Sequence, residues 1–256
     1  MAKLLTLLSG LLLLFSCENN SMSSLELTAP ENSTSLDKSA AQSRGTALAL
    51  DGDGDYVVIP DSPSLDMPNS FTITAWIFLN EYTEWASVVT KGTDDNNYTI
   101  HQSGPDVGSE FGHLRFTGAP PVWPGFLESN TQIPLDEWHH VAITWDGTTL
   151  KFYLDGQADG EHALTGPLGT NDEPLHIGAD FPGGDEFWNG AIDEVKLWNV
   201  ALSQKHVKTA MNGHSSPRAN ALAGIWTFGE GSGTAVNDRS TNNNDGVLVG
   251  DATWTD

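Results

Sequence analysis

Residues 137–157, EWHHVAITWDGTTLKFYLDGQ, leave the backbone little choice. Val141, Ile143 and Trp145 share one face of an alternating run, and Leu150, Phe152 and Leu154 share a face of the next. A period of two is the signature of a strand with one side buried, and Asp146-Gly147 between the runs supplies a tight turn. The same grammar recurs along the chain. TALALDGDGDYVVIP (46–60) sets two apolar pieces around an acidic glycine turn. FTITAWIFL (71–79) alternates Phe71, Ile73, Ala75 and Ile77 against Thr72, Thr74, Trp76 and Phe78. ASVVTKG (86–92), NYTIHQ (97–102), HLRFTG (113–118) and PLHIGAD (174–180) are short and β-rich. Short strands punctuated by Gly and Asp predict an antiparallel sandwich or barrel. One helix is expected near 203–212, with Ser203 as N-cap, Val207, Ala210 and Met211 on one side, and Gly213 as terminator.

The stretch GAIDEVKLWNVALS (190–203) carries a conflict. Asp193 and Glu194 interrupt an apolar strand, and plain alternation turns Asp193 to the side of Val195 and Leu197. A carboxylate there needs a partner.

The two ends of the chain read differently from its body. MAKLLTLLSGLLLLFSC has Lys3 followed by an apolar run, too short for a stable membrane span, and residues 1–16 are expected to be a secretory signal. Leu14-Phe15-Ser16-Cys17 resembles the lipobox of bacterial lipoproteins, in which the cysteine becomes the first mature residue and carries the lipids. Cys17 is the chain's single cysteine, so the mature chain can hold no internal disulfide. Residues 17–45, polar and aperiodic, suit a flexible tether. The expected location is therefore outside the cytoplasm, on the outer membrane or cell surface, with the membrane reached through lipid on Cys17. A single domain is expected over 46–256. The formal net charge of −23 argues against nucleic acid and against docking on anionic lipid.

Five segments taken together resemble the laminin G-like, concanavalin A-like jelly-roll family, which includes pentraxin-related proteins. They are ALALDGDGDYVVIP, FTITAWI, VVTKG, EWHHVAITWDGTTLKFYLDG and FWNGAIDEVKLWNVALS, in the family's order from about residue 46 to 213. The resemblance implies an all-β sandwich. It also implies a structural calcium at the rim, where the opening turn, Asp51-Gly52-Asp53, meets an aspartate of the last strand, Asp193, with Asp55 able to replace Asp53. Hard oxygen donors on a glycine-rich turn suit that ion. The tail WTFGEGSGTAVNDRSTNNNDGVLVGDATW resembles the segment that usually precedes the family's opening strand. Residues 222–256 are therefore expected to complete the same sandwich, the alternative being the start of a second domain.

The family also contains glucanases, which carry Glu-x-Asp-x-(x)-Glu on one strand. Here Ala191 occupies the first glutamate position and Glu194 falls on the other face, and the chain has neither a GxSxG elbow nor an HExxH zinc site. No catalytic residues are expected. Aromatic loops point instead to binding: Tyr82 and Trp85 in NEYTEWAS, and Trp123 and Phe126 in the proline-stiffened TGAPPVWPGFLES. Aromatic faces beside acids and amides suit sugar rings. Two classes of partner follow, an extracellular glycan or a surface protein bound by a structural or adhesive module.

Overall fold

The computed structural model describes residues 45–92, 97–105, 110–118, 126–180, 186–213 and 218–255. The leader, Cys17, the tether and Trp123 lie outside them. In chain order the strands begin with β1 (Leu48–Asp51), β2 (Tyr56–Ile59), β3 (Phe71–Leu79), β4 (Ser87–Lys91), β5 (Tyr98–Gln102) and β6 (His113–Gly118). They continue with β7 (Leu127–Gln132), β8 (Trp138–Trp145), β9 (Thr149–Leu154), β10 (Gln157–Ala163), β11 (Leu175–Ile177) and β12 (Asn189–Trp198). Helix α1 (Gln204–Met211) follows, then β13 (Leu222–Trp226), β14 (Ala235–Val236), β15 (Gly246–Val249) and β16 (Thr253–Trp254). Two antiparallel sheets face each other. Sheet A runs β10-β9-β8-β3-β12-β1-β16, with β13 also on β12, and sheet B runs β14-β15-β2-β11-β4-β5-β6-β7. This is the all-β jelly-roll sandwich that the strand pattern and the resemblance imply.

One apolar core lies between the sheets. Ile73, Val141, Ile143, Trp145, Leu150 and Phe152 enter it from sheet A, and Val57, Ile100, Phe116 and Leu175 from sheet B. The β8–β9 hairpin closes as its sequence requires. Gly147 takes a left-handed φ of 90°. The Asp146 carboxylate accepts the backbone N–H groups of Thr148 and Thr149 at 2.9 and 2.8 Å. Helix α1 packs outside sheet A, where Val207 and Ala210 meet Ala142, Tyr153, Trp198 and Leu202. Ser203 is extended as an N-cap should be, but its hydroxyl pairs with His206 Nδ1 at 3.3 Å instead of capping a backbone N–H.

The orientation expected for Asp193 is corrected by a bulge. In β12 the pairing to β3 slips between Asp193, opposite Trp76, and Lys196, opposite Thr74. Glu194 sits in the slip with φ 52°, a left-handed conformation uncommon for a residue with a Cβ. Alternation restarts after it, so Ile192, Val195 and Leu197 all reach the core. Asp193 therefore does not share the side of Val195 and Leu197. Its Oδ1 accepts the Glu194 N–H at 2.8 Å, which stabilises the bulge itself. Lys196, on the helix side, ion-pairs with Glu194 at 2.6 Å and donates to the Ala210 carbonyl at 3.2 Å, near the helix C-terminus, where a cation is favoured.

Residues 222–255 thread through both sheets. β13 lies on the second half of β12, opposite Val195–Trp198, while β1 lies on the first half, opposite Asn189–Ile192. β15 adds to β2, and β16 adds to β1. Asp238 organises this segment. Its buried carboxylate accepts the N–H groups of Ile225, Ser240 and Asn244 and the Ser240 hydroxyl, all within 2.9 Å. An Asp238→Ala variant strands those donors. The expected loss is about 3 kcal/mol, at roughly 1–3 kcal/mol per buried group left unmet. Thermal unfolding should show a midpoint lower by roughly 10 °C for a domain of this size.

Candidate functional site

The outer face of sheet B is unusual for a sandwich surface, because it is polar and yet screened from water. Strand alternation sends Leu175, Ile177, Val89, Tyr98, Ile100, Leu114 and Phe116 inward. Their neighbours face out and line up across the strands. In one row His176 of β11 stands opposite Thr90 of β4, Thr90 opposite Thr99 of β5, and Thr99 opposite Thr117 of β6. In a second row Ser87, His101, Arg115 and Glu128 follow on β4, β5, β6 and β7. Except for Glu128, every one of these side chains is buried; Thr99, His101, Arg115 and Thr117 are 0 % exposed. Asp180 is buried too and accepts the Thr90 hydroxyl at 3.2 Å.

The second row is internally satisfied and roofed by rings. Arg115 ion-pairs with Glu128 at 2.7 Å, and its guanidinium lies 4.9 Å from the Trp85 ring centre and 4.3 Å from that of Phe126. Trp85 stacks on His101, with centroids 4.9 Å apart and planes 21° from parallel, and approaches Phe126 at 5.4 Å. Trp85 holds φ 63°, a strained backbone for a large side chain that persists only where its surroundings over-determine it. At the opposite end Tyr56 sits edge-on to His176 at 5.4 Å and stacks with Phe187 at 6.3 Å.

The first row is incompletely satisfied. The Thr99 hydroxyl and His176 Nδ1 are buried without a hydrogen-bond partner. Such atoms are costly, and native structures keep few of them without a reason. Both imidazoles are held neutral. Burial, and then the Arg115 charge, push His101 down to about 3, against the opposing pull of the Gln102 carbonyl. Burial pushes His176 down to about 4.

Of the aromatic residues singled out in the sequence, Trp85 and Phe126 come together here. Tyr82 does not join them. Its hydroxyl donates to the Ile133 carbonyl at 2.7 Å, and its ring lies where Gly112 would carry a Cβ, so it is part of the framework. Trp123 lies outside the described residues. The threonine row, His101 and His176 were not singled out, because each looks ordinary on its own strand and only the register aligns them.

The calcium candidates are only partly assembled. Asp51 pairs with Asn189, which places Asp193 four residues further along β12, about 13 Å away at strand rise. Asp193 is thus not brought to the turn, since the register sets it opposite Trp76 of β3. Asp53 is exposed, and its N–H donates to Asp51 Oδ1 at 2.9 Å, while Gly52 shapes the turn with φ 87°. The carboxylates that converge are Asp51, Asp55 and Asp251, with oxygens within 4.8 Å of one another. Asp55 is buried and accepts the Asp251 N–H at 2.8 Å. Burial raises its pKa most; bonds from the Asp251 and Asp51 amides oppose this, and the acid groups of Asp251 and Asp51 add to it.

The neutral imidazoles make stability pH-dependent. A histidine whose folded pKa is depressed favours folding fully above its unfolded value of 6.5 and loses that contribution as pH falls towards the folded value. At pH 5 the loss reaches about 2 kcal/mol for each of His101 and His176. His139, raised by its Asp155 hydrogen bond, has the opposite sign and softens the trend. The thermal midpoint should therefore fall between pH 7 and pH 5, and a His176→Asn variant should fall by about half as much. An unchanged midpoint would show that both imidazoles reach water.

Comparison with known proteins agrees with this architecture. The family model described as the concanavalin A-like lectin/glucanases superfamily matches residues 51–208. A segment of 194 residues, 68 % of this chain, is 26 % identical to the adhesion G-protein coupled receptor V1 of Danio rerio, and a segment of 196 residues, 67 % of the chain, is 26 % identical to an alpha-L-arabinofuranosidase of Bifidobacterium longum. The chain spans only 3 % and 17 % of those two proteins. Among solved structures, a Bacteroides ovatus protein assigned as a carbohydrate-binding protein superposes with a TM-score of 0.66 at 18 % identity, covering 82 % of this chain and 59 % of that one. Domain 4 of AbnA, an extracellular arabinanase from Geobacillus stearothermophilus in complex with arabinotriose, gives 0.51 at 20 % identity, over 64 % of this chain and 75 % of that one. With the family model covering most of the sandwich, the chain belongs to the concanavalin A-like lectin/glucanases superfamily.

Proposed function

We propose that this domain is a non-catalytic carbohydrate-binding module that takes its ligand on the outer face of sheet B. The observation that carries this reading is the pair of half-buried rings Trp85 and Phe126, set over Arg115 and its half-buried ion-pair partner Glu128. Sugar recognition needs that combination of rings for the CH faces and fixed polar atoms for the hydroxyls. The carbohydrate-binding assignment of the Bacteroides ovatus protein and the arabinotriose held by the arabinanase domain support it. A protein-docking surface should show a broad apolar patch. Among the described residues only Phe111 and Val247 are large, apolar and exposed, too few for such a patch. The signal-like leader and the lipobox-like Cys17 support export and attachment to the outer membrane or cell surface through lipid.

We also infer a structural calcium, held by Asp51, Asp55 and Asp251. The donor set fits the ion: three carboxylates converge, and among the described residues no lysine or arginine pairs with them. Elsewhere the fold neutralises its rim acids itself. The wholly buried Lys91 ammonium binds Asp61 at 2.7 Å, Asn171 Oδ1 at 2.8 Å and the Glu173 carbonyl at 2.5 Å. The Asp51 cluster has no such built-in cation, and it lies where the chain crosses between the sheets twice, at 52–55 and at 250–252. A dication there would fasten the two crossings together.

Two measurements test these readings. The full chain should be retained on at least one glycan class of a broad polysaccharide panel, and Trp85→Ala should abolish retention while the protein stays folded. Failure of the folded protein to be retained on any glycan would sink the module reading. Calcium in excess should raise the thermal midpoint over EDTA, by the equivalent of about 2.7 kcal/mol at a hundredfold excess over Kd. Asp55→Asn should erase the calcium effect; an effect that survives the substitution places the ion elsewhere.

A further inference from the structure

Sheet A carries a cleft on its own outer face, remote from the rings of sheet B. Its volume is about 750 Å³, within the ~300–1,000 Å³ of small-molecule sites. The strand register lays its floor. Asp146 and Thr149 stand at the β8–β9 turn, Thr144 lies opposite Lys151 and Lys151 opposite Glu161, and Tyr153 lies opposite Ala158. One wall is the segment that leads into α1. Thr72 of β3, beside Thr144, holds that segment down: its hydroxyl donates to the Val200 carbonyl and accepts the Leu202 N–H, both at 2.8 Å. Ala201, Leu202 and Ser203 therefore stand along the cleft's edge. The other wall is β10, where the pairing to β9 slips between Ala158 and Glu161 and Gly160 takes φ 128° next to Asn130 of β7. Gln204 Nε2 donates to the Gly156 carbonyl at 3.0 Å, tying α1 to the β9–β10 turn. That bridge closes the cleft beyond Tyr153, so the space suits a short ligand entering from the exposed Asp146 end.

Two hydroxyls on the floor lack a hydrogen-bond partner among the described residues, those of Thr144 and Tyr153. The two residues are 3 % and 5 % exposed. Unlike Thr99, they border an open space. The Tyr153 ring packs with Ala142, Leu202 and Val207, so the hydroxyl is the part of it left to meet a ligand. The charged groups around them are already engaged. Lys151 Nζ lies 3.3 Å from Glu161 Oε2. Asp146 Oδ1 accepts the Thr148 hydroxyl and the N–H groups of Thr148 and Thr149, which commits it to the turn. An ion entering the cleft would shed water without gaining an unpaired opposite charge on the floor. An uncharged ligand rich in hydroxyls fares better. Thr144 and Tyr153 can each donate or accept, and Ala158, Ala201 and Leu202 offer apolar sides for its C–H surface.

We propose that this cleft between α1 and β10 is a second carbohydrate site, separate from Trp85 and Phe126, which takes a neutral mono- or disaccharide unit with its hydroxyls on Thr144 and Tyr153.

Calorimetry on the full chain with neutral disaccharides of glucose, galactose, xylose and arabinose tests this. At least one should bind. Tyr153→Phe and Thr144→Val should each weaken it roughly fivefold, the loss of one neutral hydrogen bond. The thermal midpoint should stay unchanged or rise, because each substitution removes an unmet hydroxyl and keeps the side chain's shape. A folded protein that binds none of the disaccharides overturns the site, and so does binding indifferent to both substitutions. A uronate or amino-sugar disaccharide that binds more tightly than every neutral one overturns the ligand class. The sheet B reading is judged separately, by the loss of polysaccharide retention in Trp85→Ala. Disaccharide binding that persists in Trp85→Ala and weakens in Tyr153→Phe assigns the sugar to the cleft whatever becomes of sheet B.

Discussion

The bulge at Glu194 is the constraint on which the architecture turns. β12 is the strand that meets the most neighbours, with β3 along one edge and β1 and β13 end to end along the other. A regular strand of that length could not send Ile192, Val195 and Leu197 all into the core. One extra residue on β12 solves this, at the cost of a left-handed backbone at Glu194, of order 1–3 kcal/mol. The local sequence offsets part of the cost. Asp193 accepts the Glu194 N–H, and Glu194 reaches Lys196, which in turn holds the last turn of α1. The paired acids that look out of place in an apolar strand are thus the parts that hold the strand in its bent register. Gly190, nearer the start of β12, is needed for a different reason: a Cβ there would overlap the Phe78 carbonyl oxygen.

Across the core from β12 lies sheet B, whose two faces are built differently. A sandwich ordinarily spends its polar residues on solvent, so one face of each sheet is dry and the other wet. Sheet B breaks this division. Its inner face fills the core, and its outer face buries threonine, histidine and arginine as completely as the inner face buries isoleucine. Such a face needs its polar groups paired, and the Arg115–Glu128 row meets that demand almost in full. The threonine row does not. Two adjacent rows on the same strands therefore have different energetics: one rigidifies the sheet, and the other holds atoms for which the fold itself provides no partner.

How much of this the sequence discloses depends on the range of the interaction. The sandwich, the β8–β9 hairpin and α1 rest on periodicity and turn chemistry within about twenty residues, and those signals are strong in EWHHVAITWDGTTLKFYLDG and in SQKHVKTAMNG. The orientation of Asp193 is not legible because a bulge leaves no period of its own; a Glu in left-handed conformation looks like any other Glu. The acidic cluster was half legible. Asp51 lies in a glycine turn whose purpose is visible, but Asp251 reaches it from two hundred residues away through β15 and β16. The polar outer face of sheet B is the least legible. Thr90, Thr99, Thr117 and His176 each occupy an unremarked outward position on a short strand, and their alignment exists only in the register of four strands. Trp85 and Phe126 were visible as aromatics, whereas the guanidinium between them was not.

Stability alone does not account for Thr99 and His176. A fold selected for stability alone would carry valine and leucine there, since an apolar side chain of like shape removes an unmet polar atom and completes a dry face. It would also have no use for imidazoles that weaken the domain as pH falls below neutrality. The rest of the molecule shows that burying polar groups well is within its means: Asp238 meets four donors, and Lys91 meets a shell of oxygens. Local departures from an otherwise consistent design are where function is expected to reside. Here the departure takes the form of an aligned row in which two buried polar atoms, the Thr99 hydroxyl and His176 Nδ1, are left without partners.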